Sequence, residues 1–245
     1  MKKRIVRMAL TILVPVCIVL AITGCKDGVI GNGQAVTKEI QISDALTGVI
    51  NTGSFEVTID PSLKGKAVLE GESNILDLVE AGQNADGVFE IAFKPAAILS
   101  LRTVKARIPA VNGGIFRIDG TGSIRLDGDN ALKGDIFDLQ INGTGSMKLN
   151  LNATQLRAVI SGTGNVDVTG EAGKSEIEIN GTGNFNGLDC KAASANVRIS
   201  GSGNAYVNTS GALTCSIFGS GNVVYKGNPA KISADGGGSG KVNKY

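Results

Sequence analysis

The sequence contains no histidine and no tryptophan, and its aromatic residues are limited to seven Phe and three Tyr. Histidine is the most common general base in enzymes, so its absence argues against the commonest catalytic centres. Without histidine or a Cys-x-x-Cys pair, the chain also lacks the usual sequence pattern of a zinc site. Only five Pro accompany 35 Gly, a composition that favours many short strands joined by tight turns over a helical protein.

The sequence also lacks an apolar run of the roughly 20 residues that cross a bilayer. The longest run, Met8–Ile22, has 15 residues and follows the basic residues Lys2, Lys3, Arg4 and Arg7. A basic segment followed by a short apolar one is typical of an export signal.

The apolar run ends in Ile22-Thr23-Gly24-Cys25, which is similar to a bacterial lipobox. In a lipobox, an aliphatic residue and two small residues precede the cysteine that is lipidated after cleavage. We therefore predict a lipoprotein signal peptide at 1–24 and lipidation at Cys25. Cys17 is the rival position, but bulky Val16 precedes it. An ordinary secretory signal cleaved nearby is the alternative.

Cleavage after residue 24 would remove four positive charges and no negative ones, so the formal charge would change from +2 to −2. A nearly neutral chain of mixed sign has no electrostatic footprint for nucleic acid. The lipid would attach the protein to the membrane, and residues 25–35 read as a flexible tether. An aspartate directly after the lipidated cysteine is associated with inner-membrane retention, and this position is occupied by Lys26. We therefore expect the protein in the outer membrane, on either its periplasmic or its surface face.

A Gly-Thr/Ser-Gly motif recurs through the second half of the chain. Its copies begin at Gly120 (GTGS), Gly143 (GTGS), Gly162 (GTGN), Gly181 (GTGN), Gly201 (GSGN), Gly219 (GSGN) and Gly238 (GSGK). Successive starts differ by 23, 19, 19, 20, 18 and 19 residues. A nearly constant period of this length is the sequence signature of a solenoid.

Apolar residues alternate with polar ones on both sides of each motif, which is the period-two pattern of a strand with one buried face. The residues two positions before the first glycine are Ile118, Ile141, Ile160, Ile179, Ile199 and Ile217. The residues four positions after it are Ile124, Met147, Val166, Phe185, Ala205, Val223 and Val242. The pattern predicts an all-β solenoid of parallel coils, each about 19 residues long, with glycine-rich corners.

The corners predict two further features. Glycine enters the positive-φ region without a steric penalty, so we expect positive φ there. Asparagine recurs at one corner position, and stacked amides can form hydrogen bonds from coil to coil. The residues of this expected ladder are Asn165, Asn184, Asn204 and Asn222.

A 19-residue register also brings opposite charges to neighbouring positions on adjacent coils, where such pairs stabilise a sheet by roughly 0.2–1 kcal/mol each. The expected pairs are Arg157–Glu176, Glu178–Arg198 and Lys148–Asp167. These charges are therefore predicted to form a solvated face.

The period fades in the first half, although alternating segments continue. Ile50–Val57 (INTGSFEV) resembles Ile141–Leu149 (INGTGSMKL) with one glycine lost, which indicates an early degenerate copy. No linker demands a second domain. We predict one body over 36–245, with irregular coils at 36–111 and regular repeats at 112–245.

Two cysteines remain outside the signal, Cys190 and Cys215. They are 25 residues apart, so they should occupy different corners and not stack directly. Both alternate with polar neighbours and are predicted to point inward as small apolar residues. A disulfide between them stays open as an alternative, since the envelope is oxidising.

The densest group of carboxylates lies in the longest repeat: Asp127, Asp129, Asp135 and Asp138. An Asp-x-Asp segment can bind Ca²⁺, but a solvated Asp-Gly turn is commoner, and the repeats lack the aspartate of calcium-binding coils. We predict no metal, no cofactor and no catalytic residue. A polysaccharide lyase or hydrolase is the less favoured alternative.

Alternation points three apolar residues outward near the C-terminal end: Tyr206, Phe218 and Val224. They are either scattered surface residues or a binding patch, for self-association or for a sugar ring stacked on Tyr206. Lys241 and Lys244 on the final strand are typical of edges protected from open-ended growth. Any homo-oligomer is therefore expected to be small.

The repeated GTGS and GSGN corners, the segment ARIPAVNGGIFRIDGTGS (Ala106–Ser123) and the lipoprotein signal together resemble the head GIN domain family. Its members are auto-transporter adhesin-like proteins of Bacteroides-type envelopes, and the resemblance covers residues 36–242. It implies a right-handed parallel β-helix in the cell envelope and transfers no site residues. The expected function is a non-catalytic structural or adhesive surface module, with a carbohydrate-binding envelope module as the alternative.

Overall fold

The computed structural model describes residues 28–95, 98–99 and 103–245. The predicted signal peptide, Cys25 and Lys26 lie outside the described residues. The first half contains β1 (Val29–Ile30), β2 (Ala35–Gln41), β3 (Leu46–Gly53), β4 (Glu56–Ile59), β5 (Lys66–Glu72), α1 (Ser73–Leu76), β6 (Val79–Gln83), β7 (Val88–Phe93), β8 (Ile98–Leu99) and β9 (Lys105–Ile108). The second half contains β10 (Val111–Gly120), β11 (Ser123–Leu126), β12 (Leu132–Gly143), β13 (Ser146–Ile160), β14 (Asn165–Ile179), β15 (Asn184–Ile199), β16 (Ala205–Thr209), β17 (Ala212–Ile217), β18 (Val223–Lys226), β19 (Lys231–Asp235) and β20 (Val242–Lys244).

In the second half, each strand from β10 to β18 pairs in parallel with a strand one repeat later. β13 pairs with β14 from Ser146↔Asn165 to Ile160↔Ile179. β14 continues to β15, which divides its pairing between β16 and β17. About seven coils stack in this way. This confirms the predicted all-β solenoid with parallel coils of about 19 residues.

The core consists of apolar columns that run along the solenoid. The isoleucines two positions before each corner are buried, and the five from Ile118 to Ile199 have no exposed surface. The residues four positions after each corner form a second buried column, which ends at half-buried Val242. Each residue of a column packs against the equivalent residues of the two adjacent coils. A single coil therefore has no stable core of its own.

The order of the layers in space differs from their order in the sequence. β3 and β4 pair on one side with β7 and β9. On the other side they pair with β10 and β11. Residues 46–59 therefore form a layer between the strands β7 and β9 on one side and β10 and β11 on the other. Gly53 is the register partner of Gly120, which confirms that Ile50–Val57 contains a degenerate copy of the corner.

Antiparallel strands cover the N-terminal end of the stack. β5 runs antiparallel to both β9 and β2, and β6 runs antiparallel to β7. Helix α1 buries Ile75 and Leu76 beside them. Within the predicted irregular coils at 36–111, the described strands β3, β4, β7 and β9 contribute coil layers, whereas β2, β5, β6 and α1 belong to this cap. Alternating apolar residues indicate a strand but do not reveal the direction of its neighbour.

The described part of the predicted tether makes specific contacts. Val29–Ile30 pair in parallel with Ile98–Leu99, and the backbone N–H of Gly33 donates to the Glu72 carboxylate at 2.6 Å. These contacts attach the chain to the N-terminal cap from residue 29 onward. The single short helix of the described residues is neither long nor apolar enough to span a membrane.

Candidate functional site

The repeated corners are joined by a ladder of backbone hydrogen bonds. The carbonyl oxygen of Gly162 accepts the N–H groups of Thr182 at 2.9 Å and Gly183 at 3.0 Å in the next coil. The first glycine of four further corners makes the same pair of bonds: Gly143, Gly181, Gly201 and Gly219. These bonds satisfy backbone groups at a place where the strands are interrupted.

Glycine is required at most corners for a different reason from the one predicted. Of the glycines that begin the seven motifs, only Gly120 and Gly143 have positive φ, at 138° and 150°. No residue other than glycine has positive φ within the described segments, so the ladder asparagines do not adopt it either. Instead, a Cβ on Gly181 would overlap the carbonyl oxygen of Gly162 in the preceding coil. The close approach of the backbones therefore selects glycine.

The predicted asparagine ladder is confirmed. The side-chain N–H groups donate to the amide oxygen of the preceding coil, from Asn184 to Asn165 at 3.1 Å, from Asn204 to Asn184 at 3.2 Å and from Asn222 to Asn204 at 3.3 Å. The same oxygens also accept the backbone N–H of the next asparagine. The side-chain oxygen of Asn222 extends the ladder by one step, because it accepts the backbone N–H of Lys241 at 3.0 Å. Each amide nitrogen carries two hydrogens, so one N–H of each step is not used by the ladder.

Tyr206 and Val224 form a half-exposed column beside this ladder. They are register partners on β16 and β18, and both are partly accessible to solvent. Each lies two residues after a ladder amide, at Asn204 and Asn222, so the phenol and isopropyl groups follow the same face. The structure thus places these two predicted residues together.

Phe218 lies on the other side of the corner, directly after β17. Its side chain is 51% exposed, and the guanidinium carbon of Arg198 lies 4.6 Å from the ring centroid. This is a cation–π contact, which covers one face of the ring. The strands that precede the corners form one side of the solenoid, and the strands that follow them form the neighbouring side; we call each side a wall. Phe218 therefore belongs to the wall before the corner, whereas Tyr206 and Val224 belong to the wall after it.

The predicted charge pairs have the expected register but not the expected contacts. Arg157–Glu176, Glu178–Arg198 and Lys148–Asp167 are register partners. None of the three forms a salt bridge in the described part of the chain. Arg157 instead binds Asp138 on the preceding coil, with Nη1 3.0 Å from Oδ1, and Arg198 stacks on Phe218. An outward side chain has neighbours on two coils and along its own strand, so register alone does not select its partner.

The carboxylates of the longest repeat do not gather into a site. Asp127 and Asp129 lie in the turn after β11, whereas Asp135 and Asp138 lie on β12. Among residues 28–95 and 103–245, no three Cys, Asp or Glu side chains are placed to share a metal ion.

Cys190 and Cys215 are buried free thiols, which agrees with their predicted inward orientation and leaves the alternative of a disulfide unsupported. Burial raises the pKa of the Cys190 thiol to about 11, with a smaller contribution from Glu171. Burial, and then the charge of Asp235, raises the pKa of Cys215 to about 11. Both thiols are therefore protonated at neutral pH and poor nucleophiles.

Asn51 is a core residue that the sequence pattern did not predict. Asn51 is the register partner of Ile118 and has no exposed surface. Its amide nitrogen donates to the carbonyl oxygens of Phe55 at 2.8 Å and Ser123 at 3.3 Å. Aligning Ile50-Asn51 with Ile141-Asn142 hides this position, because Ile50 is then assigned to the isoleucine column in place of Asn51. Matching Gly53 to the first glycine of the motif would place Asn51 in the isoleucine column.

Comparison with solved structures identifies several solenoids of the same fold. A "putative adhesin" from Bacteroides fragilis NCTC 9343 superimposes with a TM-score of 0.79 at 21% identity, covering 89% of this chain and 100% of its own. A "putative lipid binding protein" from Parabacteroides distasonis ATCC 8503 has a TM-score of 0.64 at 24% identity, with 89% and 99% covered. A "putative adhesin" from Parabacteroides merdae ATCC 43184 has a TM-score of 0.64 at 22% identity, with 90% and 100% covered. At these identities the likeness concerns the fold.

A search of curated proteins finds no match to the sequence. The family model described as "Putative auto-transporter adhesin, head GIN domain" matches residues 45–229, which include the cap except for β2, the inserted layer and six of the seven corners. The chain therefore belongs to the head GIN domain family.

Proposed function

We propose that this protein is a non-catalytic lipoprotein of the bacterial cell envelope that acts as an adhesive or structural surface module. The family and the related folds support an adhesin-like module associated with the envelope. A solenoid whose coils are cross-linked by backbone and amide ladders is a rigid body, and rigid sheets hold binding residues in fixed positions.

The observation that carries the adhesive role is the column of Tyr206 and Val224 beside the ladder amides of Asn204 and Asn222. An aromatic ring beside regularly spaced N–H donors provides stacking and hydrogen bonding for an extended polar ligand. This arrangement favours a glycan as the ligand, which makes a carbohydrate-binding envelope module the second candidate. Phe218, on the neighbouring wall, is a separate contact in the proposal.

The adhesive role can be tested with the chain from Lys26 onward on a glycan array and on immobilised cells. Tyr206→Ser should remove most of the binding, and Val224→Ser should weaken it. Tyr245→Ser is the matched control because Tyr245 is also exposed, at 76%. Phe218→Ser tests the neighbouring wall separately. Binding that survives Tyr206→Ser and Val224→Ser at the wild-type level would contradict this surface.

The proposed anchor is a lipid on Cys25, in the outer membrane. It is supported by the basic and apolar segments before Ile22-Thr23-Gly24-Cys25 and by the order of an export signal. Cells supplied with a clickable fatty acid should label the wild-type protein and a Cys17→Ala control. Cys25→Ala should lose both the label and membrane association, and a labelled Cys25→Ala protein would refute the anchor. Membrane fractionation and protease treatment of whole cells would locate the protein.

A further inference from the structure

The C-terminal coil ends in a strand whose outer edge is unpaired. In the described chain, β19 pairs with β17 alone. All five of its residues, Lys231–Asp235, are exposed, and apolar Ile232 is 44% exposed. An exposed edge of this kind is a template for pairing with another strand.

The free hydrogen-bonding groups of this edge can be located. Lys231 donates its N–H to Gly211 at 3.3 Å, on the side of β17. Successive residues of a strand in a parallel ladder direct their N–H and C=O groups to opposite sides. The groups of Ile232 and Ala234 therefore point to the open edge, where they offer two donors and two acceptors.

The sequence Lys-Ile-Ser-Ala-Asp of β19 is complementary to itself in the antiparallel direction. When two copies are centred on Ser233, Lys231 lies opposite Asp235 of the second copy, and Ile232 lies opposite Ala234 of the second copy. In this register Ile232 and Ala234 exchange hydrogen bonds, while Ser233 forms the non-hydrogen-bonded central pair. This agrees with the direction of the free edge groups.

The two faces of the strand also agree with this register. The register partners of Ile232 and Ala234 on β17 are Leu213 and Cys215, which are both buried. Ile232 and Ala234 therefore face the end of the core, whereas the charged ends of β19 face solvent. Residues directly opposite in an antiparallel pair share a face. The pairing would bring apolar groups together on the inside and opposite charges together on the outside.

We propose that the edge of β19 binds a second copy of this chain, forming an end-to-end dimer about a two-fold axis through Ser233. The contact uses the same strand of both copies, so the assembly closes at two. The dimer is independent of the proposed adhesive role, because Tyr206 and Val224 lie on strands other than β19.

Disulfide capture tests the register directly. Residues of a non-hydrogen-bonded antiparallel pair have Cα atoms about 4.5 Å apart, which is within the range that a disulfide spans. Ser233→Cys in the full-length chain should therefore give a reducible dimer on mild oxidation. Thr214→Cys is the matched control, because Thr214 is exposed in the same column but one coil inward. The unaltered chain measures the background from the four natural cysteines. A Ser233→Cys dimer no more abundant than in these two controls overturns the proposal.

Charge exchange tests the orientation. In the Ser233→Cys background, Lys231→Glu would place two carboxylates opposite each other and should reduce the captured dimer to the level of the Thr214→Cys control. Adding Asp235→Lys restores opposite charges only in the antiparallel register, and should restore capture. All altered side chains are exposed, and thermal unfolding of each variant verifies that it is folded. Capture that is insensitive to Lys231→Glu, or is not restored by Asp235→Lys, overturns the antiparallel register.

Discussion

The carbonyl oxygen of Gly162 lies where a Cβ on Gly181 would have to be placed. The same oxygen accepts the N–H groups of Thr182 and Gly183, so it cannot move away without weakening two hydrogen bonds. The close approach of the two backbones and the hydrogen bonds between the two coils therefore depend on the same carbonyl oxygen.

Gly181→Ala should destabilise the solenoid by about 1–3 kcal/mol, the usual range for overpacking. The contact is with backbone, which adjusts less easily than a side chain. Gly82→Ala is the matched control, because a Cβ on Gly82 meets no atom within 4 Å. Urea unfolding measures both. Equal midpoints for the two variants would show that the corner tolerates a side chain.

Asn204→Ala should destabilise the fold by about 1–3 kcal/mol, because the backbone N–H of Asn222 would lose its acceptor, the side-chain oxygen of Asn204, in a partly buried corner. The same change also removes the two amide-to-amide bonds made by Asn204. Asn152→Ala is the control, since Asn152 is exposed on β13. Differential scanning calorimetry should give a lower Tm for Asn204→Ala alone. An unchanged Tm would mean that the ladder orders the surface without stabilising it.

Ile179→Asp should unfold several coils, with a loss of about 4 kcal/mol or more, because it buries an unpaired carboxylate. Ile179 has no exposed surface. Ile136→Asp makes the same chemical change at a side chain that is 53% exposed, and should be nearly neutral. Far-UV circular dichroism during thermal unfolding distinguishes the two. A wild-type Tm for Ile179→Asp would contradict the inward orientation of this column.

The buried thiols should make the fold less stable in alkali. Folding raises the pKa of Cys190 from 9.0 to about 11, so between these values the unfolded chain releases a proton that the folded chain retains. Between pH 9 and pH 11, the ionisation of this thiol should then decrease the free energy of unfolding by about 1.4 kcal/mol per pH unit. The contribution of the thiol to stability should be fully present only below pH 9.

Urea unfolding of the wild type and of Cys190→Ala at pH 8, 9.5 and 10.5 measures this effect. Other titrating groups are shared by both proteins, so the wild type should lose stability more steeply with pH. Parallel pH dependences would mean that Cys190 ionises equally well in the folded state.

The 19-residue period was sufficient to predict the coils, the inward isoleucines and the asparagine ladder, because all three follow from stacking identical positions. The φ values at the corners and the salt bridge of Arg157 were not predictable, since both depend on distances between backbones and on competition among neighbours. The N-terminal cap carries no repeat, so its antiparallel pairing had no signal beyond alternation. Asn51 was missed because the surrounding copy has diverged.

Val111 follows Ile108 by three residues, yet their strands are separated by the layer formed from residues 46–59. β10 and β11 therefore pair with strands more than 60 residues earlier in the chain, such as Ile118 with Asn51. This closure spans more chain, and costs more entropy, than that of one 19-residue coil. Each later coil pairs with the coil that directly precedes it in the sequence. We therefore expect the layers built from β3, β4, β7, β9, β10 and β11 to assemble more slowly than each later coil, which needs only a short loop to close.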